Sequence, residues 1–193
     1  MKLAALATGF LAIAFAFAVP ALGAPPVATF DPDHTSATFS VKHLTLTTVS
    51  GTIGVKDVNL VLGDGGELRE ADATFDLKTI DTHESDRDND LRSARWFDVA
   101  TYPLMTFKST KIEAGPNGAL TIAGDLSFHG VTKPVTLNAK FEGSIKDQKG
   151  RTHIGFSATT SFDRTDWNLG AGFPAVIVGH SITVNLEVEA IEG

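Results

Sequence analysis

From residue 35 onward, apolar and polar positions alternate with a period of two, the pattern of strands with one buried face. Ala37, Phe39 and Val41 alternate with Thr38, Ser40 and Lys42. The same alternation runs through residues 49–55, 71–77, 105–107, 120–128, 135–141, 154–162 and 182–190, which gives eight strands. Gly63-Asp64-Gly65-Gly66, Gly115-Pro116-Asn117-Gly118 and Asp147-Gln148-Lys149-Gly150 are turn signals between several of them. Links this short predict an antiparallel meander. Gly51, Gly54, Gly124 and Gly143 fall inside strand patterns and predict bulges or bends where a sheet curls. Eight strands with one apolar face favour closure into a barrel, which leaves no edge, over a two-sheet sandwich. Helical character is confined to residues 81–93, with Thr82 or Ser85 as N-cap, and to at most one turn in the loop around 168–173. The expected fold class is all-β: an eight-stranded antiparallel barrel with one short helix capping a barrel end.

The first 23 residues break the pattern. Lys2 precedes an uncharged apolar run over residues 3–19, Pro20 ends it, and Ala21-Leu22-Gly23 has the small-x-small form of a cleavage site. A signal peptide over 1–23 is expected, cut before Ala24, with residues 24–193 forming one exported domain in the periplasm. The run is short for a membrane anchor, so no transmembrane span is expected in the mature protein. An outer-membrane barrel is disfavoured by the charges on the polar parity, among them Lys56, Asp76, Lys108, Lys140 and Glu187. They are too many for the inside of a small barrel, and one Tyr and two Trp are too few for two aromatic girdles. The polar face therefore meets water and the apolar face points inward.

Composition then removes function classes. The 193 residues include no cysteine, which excludes disulfides, thiol nucleophiles and cysteine-ligated metals. A net charge of −7 argues against nucleic acid as a partner. The six histidines, His34, His43, His83, His129, His153 and His180, show no ligand spacing, so no metal site and no cofactor is expected. His180-Ser181 lacks a nucleophile elbow, and P-loop and dinucleotide motifs are missing. The charged stretch 81–98 reads as a salt-bridged cap over the barrel mouth, whose arginines Arg92 and Arg95 are candidates to meet an anionic head group. Ten of the thirteen Phe lie beyond the leader, many on the inward parity. Parity alone leaves a filled core and a Phe-lined cavity with gaps at Ala73, Gly124, Ala139 and Ala158 equally open.

Several stretches together resemble the YceI-like family of exported bacterial proteins. They include Asp31-Pro32-Asp33-His34-Thr35, Phe39-Ser40-Val41-Lys42-His43, Ile80-Asp81-Thr82, Leu91-Arg92-Ser93 and Phe97-Asp98. Tyr102-Pro103, Gly124-Asp125-Leu126, Gly130-Val131-Thr132-Lys133-Pro134-Val135, Arg164-Thr165-Asp166-Trp167 and Val178-Gly179 follow in order. The resemblance implies an extended, lipocalin-like barrel whose apolar pore takes a polyisoprenoid or another long-chain amphiphile, and it tips the balance toward a cavity. Phe39, Val41, Phe75, Leu77, Phe107, Leu126 and Phe128 are then expected to line the pore. So are Leu137, Phe141, Phe156, Ala158, Trp167 and Phe173. Asp90 stands where the family often has His, and Trp167 where it often has Phe. The expected function is a non-enzymatic periplasmic lipid carrier. The alternatives are an enzyme acting on a bound amphiphile through His180, Ser181 or the 81–98 cluster, and a stress-response structural protein with a protein partner. A homodimer is left open.

Overall fold

The computed structural model describes residues 27–192, so the expected leader and its cleavage site lie outside the described residues. Nine strands form: β1 Val27–Phe30, β2 Ser36–His43, β3 Thr47–Leu62, β4 Leu68–Asp81, β5 Leu104–Ala114, β6 Ala119–Phe128, β7 Val131–Lys146, β8 Thr152–Asp163 and β9 Val178–Glu192. Strands β2 to β9 pair antiparallel, each with the next, and β9 pairs back onto β2, which closes a ring of eight. All eight expected strands are present, as a closed meander rather than a sandwich.

The ninth strand was not visible in the sequence. β1 lies between β3 and β9, Ala28 facing Leu60 on one side and Glu192 on the other. β2 occupies the same gap further along, Ala37 facing Ile53 and Leu186. One stave of the barrel is therefore broken in two by a 3-10 turn at Pro32–His34. Four residues ahead of a proline are too few to show a period.

Strand β3 runs past its expected end because it changes phase. Val49 and Ile53 face inward, but register shifts near Gly54 and Lys56 turn the other parity inward, so Val58, Leu60 and Leu62 are buried. Two interior glycines serve as seats. A Cβ on Gly124 would lie 2.4 Å from the Phe107 ring, and one on Gly51 would lie 2.7 Å from Phe39. Gly124 is thus not the gap that parity suggested, because an aromatic ring fills its place.

The single α-helix, α1, spans Ser85–Arg92. Its cap is neither Thr82 nor Ser85. The Glu84 carboxylate accepts from the N–H groups of Asp86 and Arg87, while the Thr82 hydroxyl is turned to the buried Asp88. A helix this polar has no apolar stripe to bury. It is held by polar anchors instead: Asp88 accepts from the Thr82 N–H, and Arg92 donates to the carbonyls of Lys78 and Ile80. The connections 44–46, 82–103, 129–130 and 164–177 gather at the upper end of the barrel, and 63–67, 115–118 and 147–151 at the lower end. Among the described residues no helix is long and apolar enough to cross a membrane.

Candidate functional site

The barrel interior holds two chambers, one above the other. The lower, about 90 Å³, has walls of Phe75, Phe107, Leu126, Leu137, Phe156 and Ala158, with Ala139 beside them. Its flank reaches Thr35 and Ser36, at the break between β1 and β2. The upper, about 260 Å³, is lined by Phe39, Val41, Phe128 and Phe173, with Trp96 and Phe97 from the loop after α1. Met105, Phe162 and Val184 line both chambers and form a waist between them.

Ten of the thirteen expected lining residues border a chamber. The other three do not, for separate reasons. Leu77 is 0% exposed and belongs to the packed core between β4 and the upper loops. Trp167, 1% exposed, stacks on Phe128 at 5.1 Å, meets Phe162 edge-on and donates its indole N–H to the Leu126 carbonyl, so it plugs the upper end. Phe141 faces inward opposite Phe156, its ring 5.4 Å away, but sits at the lower rim where a register shift before Gly143 frees the strand, and it is 39% exposed.

The two head-group arginines are also elsewhere. Arg92 spends its donors on the carbonyls of Lys78 and Ile80 and on Asn89. Arg95 pairs with Asp90 at 3.4 Å and lies over the Phe173 ring. Neither lines a chamber. The basic groups that do line the upper chamber are Lys42, His43, Arg87 and Arg164. Lys42, His43 and Ile177 are exposed as well, so the upper chamber meets solvent between the β2–β3 tip and the 173–178 loop.

Arg164 is 0% exposed. Its five N–H groups donate to the carbonyls of Gly179, Leu169, Gly170, Phe173 and Val178. Trp96 lies 5.6 Å from the guanidinium. Burial draws the Arg164 pKa below its usual value, opposed by the neighbouring Asp163. With every donor used, Arg164 shapes the loop that roofs the upper chamber and leaves a positive field there, but no hydrogen bond for a ligand. Arg87 is different: its Nε and Nη2 donate to the Thr82 hydroxyl and carbonyl, while Nη1 has no partner among the described residues. Asp90 is occupied too, accepting from the Trp96 indole at 3.0 Å. Its carboxylate is thus part of the wall.

The alternative catalytic sets do not assemble. His180 lies 3.6 Å from Asp163, but no hydrogen bond joins it to Ser181. Of the acids of 81–98, Glu84 caps α1, Asp88 anchors it and Asp90 is held by the Trp96 indole. In sequence Arg164 stands out only as part of the Arg164-Thr165-Asp166-Trp167 stretch, because a buried arginine and an exposed one look alike until the loop around it closes.

The chain matches the YceI-like domain model over residues 29–190. It is 35% identical over 199 residues to a UPF0312 protein of Vibrio parahaemolyticus, covering 100% of this chain and 98% of the relative. Among solved structures it is similar to the Campylobacter jejuni YCEI protein, with 32% identity, TM-score 0.70, and 79% of this chain and 90% of the other covered. A Saccharophagus degradans domain described as polyisoprenoid-binding shares the fold at 16% identity and TM-score 0.63, with 88% and 99% covered.

Proposed function

The chain belongs to the YceI-like family, and from that premise we propose that it binds and carries an amphiphile with an apolar, isoprenoid-like tail in the periplasm, without chemistry of its own. The observation that carries the proposal is the two-chamber interior: apolar throughout below, and edged with Lys42, His43 and Arg87 where it meets solvent above. The printed description of the Saccharophagus degradans domain supports the choice of tail.

The tail lies downward and the polar end stays at the upper mouth. Removing the tail from water contributes about 0.8 kcal/mol per buried carbon. The anionic or hydroxyl end meets Arg87 Nη1 and the Lys42 ammonium, in the field of Arg164. The volumes bound the tail: benzene occupies a cavity of about 150 Å³, so the upper chamber, about 260 Å³, takes fewer than two such rings and the lower, about 90 Å³, less than one. A longer chain must push through the waist, and Met105 is the member that can yield, being unbranched and flexible.

Trp96 lines the upper chamber and Trp167 does not, so tryptophan emission reports on ligand entry. Titration with a polyprenyl phosphate, and with the parent polyprenol, is expected to change the emission saturably, and Trp96→Phe is expected to remove most of that change. Emission that does not respond to either compound, in protein shown to be free of lipid, overturns the proposal.

A further inference from the structure

We propose that Asp31, His153 and Glu189 form a binding site for one divalent transition-metal ion of the zinc class, on the outer wall of the barrel across the break between β1 and β2. One ligand atom from each residue lies within 4.8 Å of the other two. Asp31 follows β1, His153 opens β8 and Glu189 is on β9, so the pairing of β9 with both neighbours holds the three together. No spacing in the sequence announces the site, because its members are brought from three distant segments.

The histidine supplies the strongest argument. His153 Nδ1 lies 2.7 Å from a Glu189 oxygen, and Nε2 lies 3.3 Å from Asp147 Oδ2. A neutral imidazole has one N–H. With a carboxylate against each nitrogen, one contact sets lone pair against lone pair unless a cation intervenes or the ring carries a second proton. Asp147 is fixed by Arg151, which donates to it from Nε at 2.7 Å, and by the N–H groups of Lys149 and Arg151. Without an ion the ring bridges both carboxylates as an imidazolium, Nδ1–H donating to Glu189 and Nε2–H to Asp147; with an ion in place of the Nδ1 proton, the anchored Asp147 carboxylate keeps accepting from Nε2–H and leaves the Nδ1 lone pair for the metal. An outer carboxylate orienting a histidine in this way is the usual support of a metal-ligating imidazole.

Charge points the same way. Asp31, Asp147 and Glu189 face one guanidinium, that of Arg151, which leaves two uncancelled negative charges when the imidazoles are neutral. Side-chain exposures of 16% for Asp31, 19% for His153 and 32% for Glu189 leave that excess poorly hydrated. A divalent ion cancels it. One nitrogen and two carboxylates suit zinc, whereas calcium takes six or more oxygens. Tetrahedral bonds of about 2.0–2.1 Å set ligand atoms about 3.3 Å apart, which small side-chain rotations reach from the present spacing. His34 Nδ1, 3.1 Å from Asp31 Oδ2, is a further nitrogen at the rim.

The ion would cross-link the broken stave to β8 and β9. Thr35, which exchanges hydrogen bonds with the Glu189 backbone, also lines the flank of the lower chamber, so the cross-link would close that flank. The site does not depend on the lipid proposal.

The test uses purified, chelator-stripped protein without a histidine tag, titrated calorimetrically with zinc chloride. One site per chain is expected, with a four-coordinate cobalt(II) absorption band when cobalt replaces zinc and a rise in melting temperature on adding zinc. His153→Ala and Glu189→Gln are expected to abolish the site, and Asp147→Asn to weaken it about 10–100-fold. Glu189→Gln is nearly isosteric and carries the test should His153→Ala fail to fold. Absence of zinc binding by the wild type, or binding equally tight in Glu189→Gln, overturns the proposal; the second result would place the metal on other surface histidines.

Discussion

Ala139→Phe separates a packed interior from a cavity, and the two chambers set its size. Ala139 is opposite Ala158 on β8 and Leu120 on β6, and its methyl group faces the lower chamber. The substitution adds six ring carbons. A ring of that size needs about 150 Å³, and the chamber offers about 90 Å³. The ring fits in part and displaces Phe156 or Leu137 for the rest. That places the cost at the lower end of overpacking, about 1–2 kcal/mol. For a chain of this length it lowers the melting temperature by about 2–8 °C. Val41→Phe is the control. It adds four carbons to the upper chamber of about 260 Å³, where the ring has room, and its melting temperature is expected to stay within about 2 °C of the wild type. Both variants occupy space the tail needs, so both are expected to retain less lipid. Differential scanning calorimetry and lipid extraction on the same preparations read the two effects. If Val41→Phe proves as destabilising as Ala139→Phe, the upper chamber is not free space. If Ala139→Phe melts like the wild type and retains its lipid, the lower chamber is not where the tail lies.

Arg164→Met removes the donors of five carbonyls in the upper roof and is expected to cost about 3–5 kcal/mol by urea unfolding; Arg164→Lys rescues little, having no planar fork. A loss below 1 kcal/mol would show that the roof is held by other contacts. Burial works against the Asp88 carboxylate, but the Thr82 hydroxyl and N–H and the charges of Arg92 and Arg87 outweigh it and hold its pKa below the usual 3.8. The stability this contributes is complete above pH 3.8 and is lost as pH falls through the lower folded-state value. Trp96 emission followed down in pH should report loosening of the α1 cap there, with a flatter acid limb in Asp88→Asn; identical limbs would refute it. Met105→Ala opens the waist, is expected to cost about 2–5 kcal/mol, and should lengthen the retained tail as read by mass spectrometry of the extract. An unchanged length distribution would show that the waist does not set it.

The strands were legible because each inner face is written locally: Leu120 to Phe128 and Ile182 to Ala190 carry their alternation without help from neighbours. β1 was not, since four residues before Pro32 carry no period. The bulge at Gly54 was marked by its glycine, but the phase change that carries Val58, Leu60 and Leu62 inward was not, since the register beyond a bulge is fixed by the partner strand, here β4. Most of the chamber walls followed from parity, but parity cannot tell a wall from a plug. Leu77 and Trp167 point inward and fill space, and Phe107 fills the place at Gly124. The polar part of the site was least legible. Arg92 and Arg95 looked free because their partners, two backbone carbonyls for Arg92 and the Asp90 carboxylate for Arg95, are set by the fold; the arginines that line the upper chamber are Arg87 and Arg164. The Asp31, His153 and Glu189 cluster joins three segments that only the closed barrel brings together.

The carrier proposal is tested most directly by native mass spectrometry of protein expressed from the complete sequence in a bacterial host and released by osmotic shock without detergent, a release that itself tests the expected export. A lipid-carrying barrel gives a species heavier than the expected chain beginning at Ala24 by the mass of one amphiphile, and collisional activation strips that mass off as a lipid. The added mass should be missing or reduced in Ala139→Phe. Protein that is wholly bare, and that stays bare after incubation with polyprenyl phosphate, would rule out the carrier function and leave the interior as a loosely packed core.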